Sequence, residues 1–505
     1  MGLSEASELT AVADCSRGHD DRAYDLRAVG PLNCVHVLNS YVEVKIDVCT
    51  ARREDHHQHD EGGPLHDVLR FARKIEAKGK RASPHFTCNR YGSDVYSHPL
   101  THLRIGTMTD VTIIGGGIVG LATAYALTDQ STISVRILEK ETALAQHQST
   151  HNSGVLHAGL QYRPGSAKAR LAREGIRRMT EFCTAHDVKH EICGKLVVAS
   201  SKAELPRLDE MFDRGIANGL KGLRRLSAEA AREVEPHVHA QAAILVPEEG
   251  IADYRAVCQV LDEILGERGV ELVTGAEVNA LSRQSRSWRI TTTAGVFESG
   301  VIVNCAGLHS DRIVTMAGED PGCRIVPFRG EYHRLRPDRE HLVRHLVSPL
   351  PEPGFPFLGV HFTRRIGGGI DAGPNAVLAF AREGYDRTTI NLFDLGGALT
   401  FPGLWRFAAK YPHMVARELG QSFDRRRFVS ALQRLIPEVT TDDLIPAGAG
   451  VRAQAMNAHG ELLQDFVWSE GRGTVHAINA PSPAATASLA IGEEIAARVR
   501  RQLAA

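Results

Sequence analysis

Between Val111 and Lys140 the chain reads VTIIGGGIVGLATAYALTDQSTISVRILEK. Val111, Ile113 and Ile114 make a short apolar run that predicts a buried strand, and Gly115, Gly117 and Gly120 follow it at G-x-G-x-x-G spacing. Gly115 permits a tight turn, Gly117 lets backbone approach a pyrophosphate, and Gly120 lets the helix expected over 118–127 pack closely on its strand. Ala124, one turn further, keeps that face small. The helix N-terminus then offers free N–H groups and a positive dipole end to phosphate. A second strand, Val135 to Leu138, delivers Glu139 about 20 residues after the last glycine, where a carboxylate accepts from ribose hydroxyls, with Lys140 beside it. A lone glycine fingerprint is weak; strand, helix, small residue and acid together specify a dinucleotide site.

The chain has 505 residues, enough for two or three domains, and a formal net charge of -1. Its basic residues are scattered, which excludes a nucleic-acid footprint. No apolar stretch approaches the roughly 18 residues of a spanning helix, and the N-terminus lacks a signal pattern. The expected location is cytoplasmic, with peripheral attachment at the inner face of the membrane left open. Nine cysteines are dispersed without C-x-x-C pairs, which predicts reduced thiols and no metal site; Cys258 and Cys305 sit in apolar runs as small core residues.

Residues 1–107 differ from the rest, with nine of the 24 histidines, four of the nine cysteines and no sustained apolar period. Met108 is expected as the natural start; a disordered extension ranks second and a metal-binding domain third, for want of paired ligand spacing. From there the elements alternate in an α/β manner. The expected division is a first FAD-binding part over 108–200, mixed segments over 201–300, a return strand over 301–326, a substrate domain over 327–440 and a C-terminal FAD-binding part over 441–505. The Gly- and Pro-broken strands from Pro327 to Phe380 predict an antiparallel sheet in a second layer, and 386–440 reads as amphipathic helices.

The glycine turn alone permits nicotinamide or flavin. Val301 to Gly307, VIVNCAG, favours FAD: an apolar strand runs into a small-residue turn far downstream, and no separate nicotinamide domain is visible. Further motifs carry a closer likeness. His151 to Ala169, HNSGVLHAGLQYRPGSAKA, Pro327 to Tyr332, PFRGEY, Phe355 to Arg364, FPFLGVHFTR, Gly373 to Tyr385, GPNAVLAFAREGY, and Asn479 to Glu493, NAPSPAATASLAIGE, resemble the L-2-hydroxyglutarate dehydrogenase/oxidase family. That family lies among the FAD enzymes related to D-amino acid oxidase and glycine oxidase. The likeness covers Met108 to the C-terminus and implies a Rossmann-like FAD-binding domain joined to an antiparallel-sheet-plus-helices substrate domain.

Oxidising a 2-hydroxy acid needs a base near the hydroxyl and a cation for the carboxylate. By motif position the resemblance implies that Arg452, in PAGAGVRAQ, holds the carboxylate, a role suited to its planar fork. His361, in GVHFTR, is the first choice for the base, with His157 as rival because the resemblance sets its loop against the flavin. Asn152, Ser153, Gly154, Val278, Ala306, Gly307, Asn479 and Ser482 are the remaining expected cofactor contacts. Tyr332, Arg329 and Arg364 are expected to line the substrate pocket, with Tyr162, Arg163 and His459 as further candidates for a second carboxylate. No cysteine follows Cys323, which excludes a late cysteinyl flavin link; His147 and His151 leave a histidyl link open, and noncovalent FAD is expected.

The leading expectation is oxidation of L-2-hydroxyglutarate to 2-oxoglutarate with electrons passed to a quinone, another carrier or oxygen. An amine or amino-acid oxidase is the first alternative and a noncatalytic FAD-binding module the second. The segment from Leu404 to Leu419 is a candidate for membrane contact, and a buried core helix explains it as well.

Overall fold

The computed structural model describes residues 107–352 and 358–504, together with the backbone of short strands upstream. Among the latter, Val12–Ala13, Cys34–Leu38, Tyr41–Asp47 and Arg81–Thr87 form a four-stranded sheet in that order. The expectations for residues 1–107 otherwise lie outside the described residues. Met108–Thr293 and Glu298–Ala505 make one compact unit.

That unit starts with the predicted strand, Thr109–Ile114, and helix, Ile118–Leu127. A parallel sheet grows on both sides of this strand, in the order Glu271–Val273, Val135–Leu138, Thr109–Ile114, Gly295–Asn304 and Thr474–Asn479. Parallel strands covered on both faces read as continuous apolar runs, and Val111, Ile113, Ile137 and Val303 are all 1% exposed or less. The return strand predicted from VIVNCAG is the C-terminal half of Gly295–Asn304 and pairs directly with the glycine-turn strand from Ser299 to Asn304.

Small residues set how closely the helices lie. A Cβ on Gly492 of the C-terminal helix, Ala484–Ala504, would stand 2.4 Å from Ala122 O of the glycine-turn helix, and one on Gly175 of Ala167–Ala185 would stand 2.4 Å from Ala487 Cα. Three helices from distant parts of the chain thus share one backbone-to-backbone contact layer.

The second sheet is larger and mostly antiparallel. Its order is Arg224–Ser227, Ala242–Val246, Lys195–Ala199, Leu346–Pro349, His361–Arg364, Ile370–Gly373 and Arg324–Leu335, with Leu444–Met456 on the far side of Arg324–Leu335. It therefore begins earlier than the expected boundary at Pro327, recruiting strands from 195–246 through the one parallel pairing of Lys195–Ala199 with Leu346–Pro349. The helical stretch after Tyr385 comprises Leu392–Leu399, Pro402–Lys410, Pro412–Phe423 and Arg425–Gln433. The expected membrane segment from Leu404 to Leu419 is broken at Tyr411 and Pro412, and Leu404 and Phe407 are buried.

Candidate active site

The glycine turn has the geometry the sequence predicts. Gly115 has φ +111°, and a Cβ there would lie 2.5 Å from Cys305 O at the end of the return strand. A Cβ on Gly120 would lie 2.0 Å from Gly115 O, so strand and helix touch backbone to backbone. Glu139 is buried; one carboxylate oxygen accepts the Gly116 N–H at 2.7 Å and the other accepts the Glu141 N–H at 2.9 Å. The acid is thereby fixed beside the turn before any ribose arrives. Ser149 completes this end, its hydroxyl accepting the Ile118 N–H at 2.9 Å. Ser149 carries no local signal, since its partner lies 31 residues away.

Lys140 faces Glu383 at 2.7 Å and also pairs with Glu141. His147 stands 3.0 Å from the same Glu141 carboxylate. Glu141, His147 and Glu383 are spaced as metal ligands would be, but the Lys140 ammonium is the cation among them. Burial opposes ionisation of Glu383, yet His309 and Lys140 outweigh it and hold its carboxyl at about 2.

From this turn a cavity of about 750 Å³ runs to the second sheet. Gly115, Gly117, Glu139, Lys140, Asn152, Ser153, Val278, Ala306, Gly307 and Ser482 line one part, and His157, Tyr332, His361 and Arg452 line the other. A volume of this size suits a cofactor plus a small substrate. The glycine cradle, the pre-set acid and the helix N-terminus, where Ser149 takes the Ile118 N–H, fit the ADP half of FAD.

Arg452 lies on the strand Leu444–Met456, beside Phe328 of the neighbouring strand. It is held on the strand face towards the cavity by donating to Asn375 O at 3.1 Å. Burial lowers its pKa, while Tyr332 and Glu418 work against that, and a guanidinium remains charged in such surroundings. His361 donates from Nδ1 to Gly359 O, 2.9 Å away, because a carbonyl can only accept; Nε2 is left with its lone pair. His157 follows the short strand Val155–Leu156, and its backbone N–H donates to Thr486 Oγ1 at 3.2 Å. Tyr254 and Thr486 both donate to Val155 O, so the histidine loop is tied to the start of the C-terminal helix.

Several expected site residues serve elsewhere. Arg329 pairs with Glu331 and donates to Asp386 O at 2.7 Å; its neighbour in the ladder is Val451, so it leaves its strand on the side away from Arg452. Arg364 makes a two-pronged pair with Glu191 at 2.7 and 3.1 Å. Asn479 braces Leu463 O and Asp465 O, each at 2.8 Å. Gly154, with φ +73°, forms the turn that Asn152 Oδ1 closes by accepting its N–H. Arg163 and His459 are exposed, and Tyr162 is buried beneath the His157 loop. In the other direction, Lys168 lines the cavity, and burial lowers its pKa to about 8 against the pull of Asp465.

The family model for FAD dependent oxidoreductases matches residues 110–498. An L-2-hydroxyglutarate dehydrogenase of Indibacter alkaliphilus is 45% identical over 384 residues, covering 76% of this chain and 96% of that protein. The Homo sapiens mitochondrial counterpart is 40% identical, covering 78% and 89%. The chain belongs to this family. It is an FAD-dependent oxidoreductase by the same evidence. Among solved structures, the fold resembles an L-alpha-glycerophosphate oxidase from Mycoplasma pneumoniae with FAD bound, at TM-score 0.64 and 23% identity, covering 78% of this chain and 95% of that one. It also resembles glycine oxidase from Geobacillus kaustophilus, at TM-score 0.60 and 19% identity, covering 79% and 96%. Within the L-2-hydroxyglutarate dehydrogenase family, the expected fold class is confirmed, and Arg452, His157 and His361 share the cavity that begins at the flavin turn.

Proposed function

We propose that the protein oxidises L-2-hydroxyglutarate to 2-oxoglutarate with FAD as noncovalent cofactor. One observation carries the reading: in a chain of this family, a single cavity joins the glycine cradle to one half-buried arginine and two histidines. Gly115, Gly117, Glu139, Ser149 and Ser482 would hold the cofactor, which supplies a hydride acceptor when bound. Arg452 holds the C1 carboxylate and so orients C2 with its single hydrogen towards the flavin site. One of the two histidines takes the hydroxyl proton, leaving 2-oxoglutarate. Family membership sets the amine-oxidase and noncatalytic readings below this one. Chromatographic assay of product tests it: one 2-oxoglutarate per electron pair delivered to a quinone analogue is expected, and product without the five-carbon keto acid overturns it.

An apolar quinone at a membrane surface is the acceptor favoured by the helices after Tyr385. Leu392, Phe393 and Phe423 are 81%, 75% and 78% exposed, with Ile390 just before them and Trp405 exposed on the next helix, although other large apolar side chains are mostly buried. Arg312 lies over the Phe393 ring at 4.7 Å and Arg387 over Phe423 at 5.7 Å, an interfacial mixture of cation and aromatic. Phe393, Asn391 and Arg312 also line the cavity, so the apolar patch adjoins its mouth. Among the described residues, no helix is long and apolar enough to cross a membrane.

A further inference from the structure

Behind His157, on the side away from the main cavity, lies a void of about 10 Å³ bounded by Lys195, Glu249, Tyr162 and Ser348. Glu249 is 2% exposed and Lys195 is 8% exposed. Glu249 Oε1 accepts the Ala158 N–H at 3.2 Å. Its other oxygen, Oε2, has no hydrogen-bond partner and lies 3.1 Å from Lys195 Nζ and 3.8 Å from His157 Nδ1. A carboxylate this deeply buried and only half satisfied is costly unless neighbouring charge repays it. Burial works to protonate Glu249, and the Lys195 charge followed by His157 outweighs it, holding the carboxyl at about 2. The anion is therefore permanent at any working pH, and it faces the histidine.

We infer that Glu249 is a positioning residue that makes His157, rather than His361, the base for the substrate hydroxyl. The inference rests on the hydroxy-acid reading proposed above. The Glu249 charge 3.8 Å from Nδ1 favours the tautomer that carries its proton on that nitrogen, which leaves Nε2 for the cavity that His157 lines. In the step, the substrate O–H bond breaks and its proton goes to Nε2. The C2–H bond breaks with its electron pair, which leaves as hydride for the oxidised cofactor, and C2=O forms; the substrate loses two electrons and FAD gains them. The imidazolium so formed is stabilised by Glu249, as an acid behind a histidine stabilises any catalytic imidazolium. His361 has no such anion. Its Nδ1 is spent on Gly359 O, and burial, with the charges of Lys195 and Arg452 adding to it, pushes its pKa down to about 3. It is suited to accept a hydrogen bond from the substrate without keeping a proton.

The charged and titratable groups facing His157 are Glu249, Lys195, His361 and Tyr162. Burial and the Glu249 charge push the Tyr162 phenol far above its usual range, so it stays neutral. Among the described residues, Glu249 is the anion that faces His157.

The test uses the FAD-loaded enzyme carrying Glu249→Gln or Glu249→Asp, alone and on a His157→Gln background. With flavin content unchanged, E249Q is expected to slow anaerobic flavin reduction by L-2-hydroxyglutarate about 10- to 100-fold, the usual effect of removing a residue that orients a reacting histidine. The acid limb of kcat/KM should move down by about one pH unit, and E249D should recover part of both. On the H157Q background E249Q should add nothing. Histidine NMR of labelled enzyme, with His157 assigned from its loss in H157Q, should show the same downward move of its titration. An unmoved His157 titration in both Glu249 variants, or an equal rate loss with and without His157, would overturn the inference. The NMR titration needs no substrate, so it decides the role of Glu249 even where wild-type flavin resists L-2-hydroxyglutarate, an outcome that overturns the reaction reading alone.

Discussion

In the proposed function, Arg452 is the side chain on which substrate orientation turns. It lies half-buried on a strand, is aimed into the cavity by Asn375 O, and remains charged. Losing a charge-assisted pair with a carboxylate costs about 1.5–3 kcal/mol, so Arg452→Ala should raise KM by about 10- to 100-fold. If it also aligns C2, kcat falls with it. Steady-state kinetics with L-2-hydroxyglutarate decide the matter, and unchanged kcat and KM remove Arg452 from the site. Glu249 carries a second prediction, in stability. Its folded pKa of about 2 lies below the ordinary value of 4.5, so its contribution is present above pH 4.5 and is lost as pH falls towards 2. Thermal unfolding of E249Q should therefore lie below wild type at pH 7 and converge with it between pH 4.5 and 2. A constant difference across that window contradicts the assignment. Arg452 and both histidines were legible because each sits in a distinctive motif. Glu249 and Lys195 were not, because their meeting with His157 spans 92 and 38 positions of chain and depends on three separate strands and loops. The one local sign was a lysine opening the apolar run KLVVA.

The glycine turn is the element most completely written in sequence, because each of its demands is local. Strand, turn, helix and acid follow one another within 30 residues, and steric limits on backbone leave few other arrangements. Gly120→Ala tests it: the added Cβ lies 2.0 Å from Gly115 O, so the helix must move off its strand. Overpacking of this kind costs about 1–3 kcal/mol, and the displaced helix N-terminus should weaken FAD binding; flavin content and melting temperature measure both. Retention of full FAD affinity would show that the turn tolerates the shift. The second sheet was less legible. Its strands at Pro327 to Phe380 showed their Gly and Pro breaks, but its joining to Lys195–Ala199 is a long-range parallel pairing that no local pattern announces. The segment from Leu404 to Leu419 stayed open between membrane contact and a core helix for a related reason: amphipathic spacing marks one buried face without saying whether protein or lipid covers it.

At the scale of the whole molecule, the cavity runs from the FAD turn, past His157 and Arg452, to a mouth beside the exposed apolar helix Leu392–Leu399. Such a layout suits an enzyme whose reducing equivalents leave into an apolar phase. Leu392→Asp with Phe423→Asp should lower turnover with a long-chain quinone in anionic vesicles, and loosen vesicle binding, while leaving anaerobic flavin reduction unchanged. Equal turnover and vesicle binding in the variant contradict that use of the patch. FAD bound in this cavity would bridge the parallel sheet and the antiparallel one, so its removal should lower the melting temperature, by an amount that grows with FAD concentration in the holoenzyme comparison. The central claim concerns the substrate, and anaerobic flavin bleaching tests it most directly. L-2-hydroxyglutarate should bleach the oxidised flavin completely, whereas glycine, sarcosine and D-amino acids should leave it yellow; bleaching by an amine and none by the hydroxy acid would contradict the account.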